Sequence, residues 1–136
     1  MNILFFLTPK SEVSCVESDM TVRQALEKLE NSGFAALPII NRNGRYVGTV
    51  SEGDLLWFIK HHANLTLTEA EDIPLKEVKR RKDNKPVAVT ENMDSLFEKV
   101  YNQNFVPVTD DEGVFIGIVT RKDIMHHVLE KAKNEG

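Results

Sequence analysis

The chain has 136 residues, of which 41% are hydrophobic and 28% are charged, and its formal net charge at pH 7 is −4. This composition suits one compact domain with a sizeable core and argues against a disordered chain. The acidic balance disfavours a dedicated nucleic-acid-binding protein, which is normally basic. The sequence contains a single cysteine and shows neither a signal peptide nor a membrane span, so we expect a cytoplasmic protein without an intramolecular disulfide.

The most informative feature is an ungapped internal repeat. Residues 38–56, PIINRNGRYVGTVSEGDLL, correspond to residues 107–125, PVTDDEGVFIGIVTRKDIM. The two copies share a proline, two glycines, a valine and an aspartate at equal spacing. A repeat of this length indicates one structural unit used twice. The sequence therefore predicts two halves related by a pseudo-twofold axis.

Hydrophobic spacing and turn residues predict five elements in the first half. In chain order these are a strand near 13–16, a helix that opens at 19–21 and stops at 32–33, a strand at 34–40, its hairpin partner at 46–50, and a helix from 51. Gly33 is expected to end the first of these helices in the left-handed conformation. Each half is thus expected to begin with a βαββ arrangement followed by a second helix.

The second half repeats the order, with a first helix that we expect to be about one turn shorter. Its predicted elements are strands at 86–89, 105–108 and 115–119 and helices at 95–101 and from 120 to about 133. The connection at 61–73 is polar and acidic, and residues 72–78 are expected to form a short helix leading into the second half. Residues 3–9 are expected to play the same part for the first half. The predicted fold class is α+β, with two βαββα repeats (1–68 and 69–136) packed through their sheets.

Each repeat carries a Ser/Thr-x-x-Asp element where its last strand meets its second helix. The residues are Ser51 with Asp54 and Thr120 with Asp123. This pattern is typical of a capping box, in which the carboxylate accepts the N-cap amide. The free amides of a helix N-terminus also attract anions. Because a carboxylate has two oxygens, the residues alone leave open a cap, a ligand contact or both.

The element order and the signatures LPII…G…VGTVSEGDL and VPV…G…IGIVTRKDI resemble those of CBS (cystathionine β-synthase) domains, and the tandem is similar to a Bateman module. The resemblance covers essentially the whole chain. It implies a non-enzymatic regulatory module that binds an adenine nucleotide (AMP, ADP or ATP) in clefts between the two repeats and signals to a partner protein. It also implies a homodimer formed through helices and no required cofactor.

The resemblance further implies which residues touch the ligand. The aspartate of each element would accept hydrogen bonds from the ribose hydroxyls, and the strands would line the adenine slot. Arg121 is added from its charge: a cation in the first turn of a helix is unfavourable for the helix dipole, and a bound phosphate would compensate it, with a solvated surface residue as the alternative. The implied ligand-binding residues are Val13, Ser14, Phe34, Ala35, Ala36, Leu37, Pro38, Ser51, Asp54, Pro86, Val87, Phe105, Val106, Pro107, Thr120, Arg121 and Asp123.

Other functions remain open. The shorter first helix of the second half and the element VFIGIVTRK resemble the stand-alone CBS proteins that bind cyclic di-AMP. A dimerising adaptor with vestigial clefts is a second alternative, and a nucleic-acid-associated regulator, resting only on the basic residues of 79–85, is a third. The same basic residues also suit a solvated linker or a phosphate contact. Adjacent histidines on a helix point about 100° apart, so we predict no metal site, and no nucleophile–base arrangement predicts catalysis.

Overall fold

The computed structural model describes residues 1–62 and 65–135; Ala63 and Asn64 of the predicted polar connection, and Gly136, lie outside the described residues. The described residues form seven strands and five α-helices. In chain order they are β1 (Thr8–Pro9), β2 (Val16–Glu17), α1 (Val22–Ser32), β3 (Ala36–Ile40), β4 (Tyr46–Ser51), α2 (Glu52–His61), α3 (Leu67–Ala70), β5 (Val87–Ala88), α4 (Met93–Asn102), β6 (Phe105–Thr109), β7 (Phe115–Thr120) and α5 (Arg121–Glu135). None of the helices in this described part has the length and apolar character needed to cross a bilayer.

The chain divides into two compact units, each with its own βαββα core, which confirms the predicted α+β class. The first unit is Ser14–Asp83, and the second unit combines Met1–Val13 with the chain from Asn84 onward. These units differ from the division into 1–68 and 69–136 in two places. Residues 1–13 pack with the second repeat, and residues 69–83 pack with the first.

The first unit contains a three-stranded sheet in the order β2-β3-β4. β2 runs parallel to β3, and β3 pairs antiparallel with β4. Helix α1 begins with a capping box between Thr21 and Gln24 and ends at Gly33, whose φ of 72° confirms the predicted left-handed cap. The buried core of this unit consists of Val16, Val22, Ala25, Leu29, Leu37, Ile39, Val50, Leu55, Phe58, Ala70, Leu75 and Val78.

The second unit contains a four-stranded sheet in the order β1-β7-β6-β5. β5 is parallel to β6, whereas β7 pairs antiparallel with both β6 and β1. Its buried core consists of Ile3, Phe6, Val87, Leu96, Val100, Val106, Val108, Val119 and Ile124. The residues of this core and those of the first unit's core do not overlap.

Residues 3–9, expected to form a short helix leading into the first half, do contain a short helix, but they pack with the second unit. Ile3–Phe6 forms a short 3₁₀ helix whose Ile3 and Phe6 side chains lie in the second unit's core. Thr8–Pro9 then pairs with β7, with Thr8 opposite Ile118 and Pro9 opposite Gly117. The apolar side chains at positions 3 and 6 find their burial in the second unit, which fixes the segment there.

Residues 72–78 pack with the first unit, although they lead into the second half of the chain. Leu75 and Val78 are 4% exposed and belong to the first core. Backbone hydrogen bonds from Val22 to Ile73 and from Leu75 to Met20, both 2.9 Å long, hold the segment beside the start of α1. Its helical part is limited to the 3₁₀ turn Leu75–Glu77.

The predicted one-turn shortening of the second unit's first helix is also wrong. Helix α4 has 10 residues against 11 in α1. It begins two residues before the predicted start, because the Asn92 side chain accepts the Ser95 amide at 3.0 Å and so supplies an earlier N-cap. The remaining difference lies after the helix, where α4 lacks a counterpart of the Gly33 cap.

Candidate ligand-binding site

In both units the Ser/Thr-x-x-Asp element lies where the antiparallel hairpin ends and the second helix begins. Ala36 at the start of β3 pairs with Ser51, and Phe105 at the start of β6 pairs with Thr120. The first amide of each following helix donates to a carbonyl just before that strand, that of Ala35 in the first unit and that of Asn104 in the second, both at 2.9 Å. Within each unit, the structure thus brings the predicted N-cap residue beside the start of the middle strand.

Ser51 and Asp54 form a complete capping box at the start of α2. The Asp54 amide donates to Ser51 Oγ at 3.1 Å, and the Ser51 amide donates to Asp54 Oδ2 at 3.0 Å. Two backbone donors that helix formation leaves unpaired are therefore satisfied. The cap function of this element, one of the two possibilities left open by the sequence, is present in the structure.

The second oxygen of the Asp54 carboxylate also has a partner. The backbone amide of Arg81 donates to Asp54 Oδ1 at 3.0 Å, across 27 positions of sequence. Asp54 is only 3% exposed. Both carboxylate oxygens in the first unit thus accept a backbone amide, and the side chain is shielded from solvent.

Arg81 belongs to a segment that we call the strap, Lys79–Asp83, which lies along the first unit. Arg80 and Asp83 form an ion pair, with Nε 2.8 Å from Oδ1 and Nη2 3.2 Å from Oδ2. Asp83 Oδ1 also accepts the backbone amide of Thr49 in β4 at 3.0 Å. A Cβ at Gly48 would lie 2.6 Å from Asp83 Oδ1 and 2.8 Å from Arg80 Nε, so the glycine leaves room for these two side chains in their present positions.

The ion pair perturbs both partners. Burial alone would raise the pKa of Asp83, but hydrogen bonds from Arg80 and from the Thr49 amide outweigh it and lower that pKa below its usual value. The hydrogen bond with Asp83 raises the pKa of the Arg80 guanidinium. The two side chains are therefore charged at neutral pH and form an ion pair beside Gly48 of β4.

The strap and helix α2 enclose a cavity of about 570 Å³ with a cationic and aromatic lining. The Arg81 guanidinium carbon lies 4.9 Å from the centre of the Trp57 ring, and Lys60 Nζ lies 5.0 Å from it. The lining residues are Asp54, Trp57, Phe58, His61, His62, Glu77, Lys79, Arg80 and Arg81. Sequence reasoning noticed the basic run but missed its contacts with Trp57 and Asp54, because neither spacing nor periodicity joins residues this far apart.

The corresponding element of the second unit is only half of a capping box. The Asp123 amide donates to Thr120 Oγ1 at 3.0 Å. Asp123 is exposed, and within residues 1–62 and 65–135 its carboxylate has no hydrogen-bond or ion-pair partner. The two aspartates of the repeat therefore differ. Asp54 is buried and each of its carboxylate oxygens accepts a backbone amide, whereas Asp123 is exposed to solvent.

Arg121 has a partner of its own. Its Nε donates to the Val100 carbonyl at 2.9 Å, and its Nη2 lies 3.4 Å from the Tyr101 carbonyl oxygen. Both acceptors lie in the last turn of α4, where a cation is stabilised by the helix dipole. A phosphate contact by Arg121 stays a prediction, to be weighed against this cap.

The remaining predicted residues divide by exposure. Phe34, Ala35 and Pro86 are exposed, and Val13, Ser14 and Ala36 are half-buried. The others are buried strand residues: Leu37, Pro38, Val87, Phe105, Val106 and Pro107. Buried side chains of this kind offer a ligand backbone atoms at most, whereas the exposed residues have free side-chain surface.

Comparison with known proteins agrees with the repeat. The model of the CBS domain family matches residues 7–61 and 70–130. A curated relative, the A-adding tRNA nucleotidyltransferase of Aquifex aeolicus (strain VF5), is 32% identical over 115 residues, which cover 85% of this chain and 13% of that enzyme. The chain thus spans about an eighth of that relative's length.

Two solved structures share the fold. CbpB in complex with c-di-AMP superposes with a TM-score of 0.86 at 24% identity, covering 100% of this chain and 91% of that one. CBSX2 in complex with AMP superposes with a TM-score of 0.75 at 25% identity, covering 96% and 98%. With two tandem matches that span most of its length and two βαββα units, the chain belongs to the CBS domain family.

Proposed function

We propose that this chain is a non-enzymatic regulatory module that binds an adenine nucleotide, AMP, ADP or ATP, and that Asp123 is the ribose acceptor. The observation that carries the proposal is the open Asp123 carboxylate beside the N-cap of α5. A ribose with free 2′- and 3′-hydroxyls offers two donors to such a carboxylate, and bonds of this kind contribute about 1.5–3 kcal/mol.

The related structures support the ligand class. CbpB and CBSX2, which share the fold, are complexes with c-di-AMP and AMP, respectively. Cyclic di-AMP is the alternative ligand. Its 3′-oxygen lies in the phosphodiester, so it offers Asp123 one hydroxyl fewer than AMP does. The chemistry of the open carboxylate therefore favours AMP, ADP or ATP.

The nucleotide would act by changing how the chain binds a partner protein. A bound ligand shifts an equilibrium only through its different affinities for two states, so nucleotide occupancy would be read as altered partner affinity. A tRNA nucleotidyltransferase activity does not follow from the similarity, because the match covers 13% of that enzyme.

We also propose a homodimer formed through helices of the first unit. Helices α1 and α2, with Leu67, line an apolar groove of about 690 Å³, in which Leu56 is 59% exposed. The exposed apolar surface of α2 in this groove comes from Leu56, since Leu55 and Phe58 are only 1% and 8% exposed. Sedimentation at micromolar concentration tests the dimer, and Leu56→Glu is expected to yield a monomer.

The nucleotide proposal is tested by calorimetric titration of AMP, ATP, cyclic di-AMP, S-adenosylmethionine and NADH. We expect Asp123→Asn to weaken AMP by one to two orders of magnitude, about the value of a charge-assisted hydrogen bond. Asp111→Asn, in an exposed turn of the same unit, is the matched control and is expected to bind as the wild type. Equal AMP affinity in the wild type and in Asp123→Asn would refute Asp123 as the ribose acceptor.

A further inference from the structure

We infer that the strap is an internal competitor for the Asp54 carboxylate, so that the first unit takes a ribose only after the strap is displaced. The inference rests on the proposed function, since it assumes that the Ser/Thr-x-x-Asp element binds ribose. It adds a form of regulation to the proposed function. Asp123 of the second unit is accessible to a ligand, whereas Asp54 of the first unit is covered by the backbone of the strap.

The competing contact is direct. The Arg81 amide donates to Asp54 Oδ1, and the Ser51 amide donates to Oδ2, each at 3.0 Å. A ribose diol would have to reach the same carboxylate, which is 3% exposed beneath the strap. A ligand hydroxyl can therefore reach Oδ1 only when the strap, with its Arg81 amide, moves away from the carboxylate, whereas the capping bond to Ser51 can persist in both states.

The strap is held by a small set of polar contacts. Arg80 and Asp83 bind each other, and Asp83 accepts the Thr49 amide. The side chains of Arg80 and Asp83 are 28% and 39% exposed, and ion pairs with this much solvent contact contribute little to stability.

No residue of the strap belongs to either hydrophobic core, and the nearest core residue is Val78 at 4% exposure. Opening the strap therefore costs a few polar contacts and the cation–π contact between Arg81 and Trp57, and it leaves the hydrophobic core of the first unit intact. Segments held in this way belong to the low-stability end of a structure, where local opening is easiest.

Two variants displace the strap without touching Asp54. Asp83→Asn keeps an acceptor for the Thr49 amide but removes the charge that holds Arg80. Gly48→Ala places a methyl group 2.6 Å from Asp83 Oδ1 and 2.8 Å from Arg80 Nε, so the two side chains that hold the strap must shift from their present contacts. Asp19→Asn is the matched control, because Asp19 forms an exposed ion pair with Arg42 in the same unit, 3.4 Å apart.

The experiment titrates AMP into these variants in an Asp123→Asn background, where binding at the second element is weakened, and repeats the titrations with Asp54→Asn added, so that the contribution of Asp54 is obtained by difference. We expect Asp83→Asn to raise AMP affinity about two- to fivefold, the range expected when an exposed ion pair no longer opposes binding. We expect a larger rise for Gly48→Ala and none for Asp19→Asn. 2′,3′-Dideoxy-AMP, which lacks the competing hydroxyls, is expected to gain nothing.

A second measurement follows the Arg81 amide, which donates to Asp54 when the strap is in place. Hydrogen exchange of the Arg81 amide is expected to speed up in Gly48→Ala and when AMP saturates the Asp123→Asn protein. The inference is overturned if neither displacing variant raises AMP affinity while both stay folded, if the rise persists after Asp54→Asn, or if AMP binds while the Arg81 amide stays protected. The comparison of the wild type with Asp123→Asn tests the proposed function separately.

Discussion

The Nε atom of Arg121, at the start of α5, donates a hydrogen bond of 2.9 Å to the carbonyl oxygen of Val100 in the last turn of α4. Helix α4 ends without a left-handed glycine, since Gln103 at its C-cap is extended, with φ of −132° and ψ of 142°. At other helix ends a left-handed glycine lets backbone amides bind the last free carbonyls. At the end of α4 the Arg121 guanidinium binds some of these carbonyls. A cation in the first turn of α5, unfavourable for that helix, is thus compensated at the negative end of α4.

This contact predicts a structural cost for removing Arg121. Arg121→Gln is expected to lower the free energy of unfolding by about 1–2 kcal/mol, because carbonyls at the end of α4 lose a charged donor. Lys122→Gln, an exposed neighbour with the same formal charge change, is expected to stay within about 0.5 kcal/mol of the wild type. Urea unfolding measures both, and equal effects would show that the cap contributes nothing.

The two repeated aspartates are expected to respond differently to the same substitution. Asp54→Asn leaves one oxygen for two backbone donors, because the asparagine amide cannot accept. One buried N–H then lacks a partner, and the free energy of unfolding is expected to fall by about 1–3 kcal/mol. Asp123→Asn is expected to cost less than about 0.5 kcal/mol, since the Asp123 carboxylate has no partner among the described residues. Similar losses in thermal unfolding of the two variants would contradict this asymmetry.

Local signals in the sequence predicted the five repeated elements of each unit, but they missed the short strand Thr8–Pro9 and the short helix Leu67–Ala70. Gly33, Gly44 and Gly113 have φ of 72°, 77° and 85°, as their places at a helix end and in the two hairpin turns required. The repeat gave the common βαββα order, and the Ser/Thr-x-x-Asp spacing gave the caps of α2 and α5. These features depend on neighbours within a few residues, which the sequence displays directly.

The contacts that distinguish the two units could not be predicted in this way. Asp54 and Arg81 are 27 residues apart, and Ile3 packs with residues more than 80 positions away. A repeat predicts equal environments for equivalent residues. It does not predict that residues 1–13 pack with the second unit, or that the strap covers the Asp54 carboxylate. Such differences arise from connecting segments, which lie outside the repeated pattern.

Tyr46, in the first unit, provides a pH-dependent test of the packing beside the strap. Burial raises its pKa to about 12, although the hydrogen bond with Thr49 Oγ1, 2.7 Å from the phenol oxygen, lowers it in part. The folded state thus favours the neutral phenol, and a free tyrosine ionises near pH 10. This contribution to stability is fully present below pH 10 and is lost as the pH rises from about 10 through about 12.

The measurement uses Tyr101→Phe, which leaves Tyr46 as the only tyrosine of the sequence. Absorbance near 295 nm is expected to show ionisation centred near pH 12 in the folded protein and near pH 10 in urea. Circular dichroism at each pH confirms that the protein is still folded. Ionisation near pH 10 with an intact circular dichroism spectrum would show that the phenol is not buried.

Substitutions at two adjacent residues of the same 3₁₀ turn test whether the N-terminal segment packs with the second unit. Ile3 is fully buried among core residues of that unit, whereas Leu4 is 52% exposed. Ile3→Ala removes three buried carbon atoms and leaves a cavity, so the free energy of unfolding is expected to fall by about 2–4 kcal/mol. Leu4→Ala removes a side chain of similar volume from a half-exposed position and is expected to cost less than about 1 kcal/mol. Urea unfolding followed by circular dichroism measures both, and hydrogen exchange locates the loss, which is expected in β6, β7 and α4. A small effect of Ile3→Ala, or a loss of protection confined to residues 14–83, would show that the segment does not complete the second unit's core.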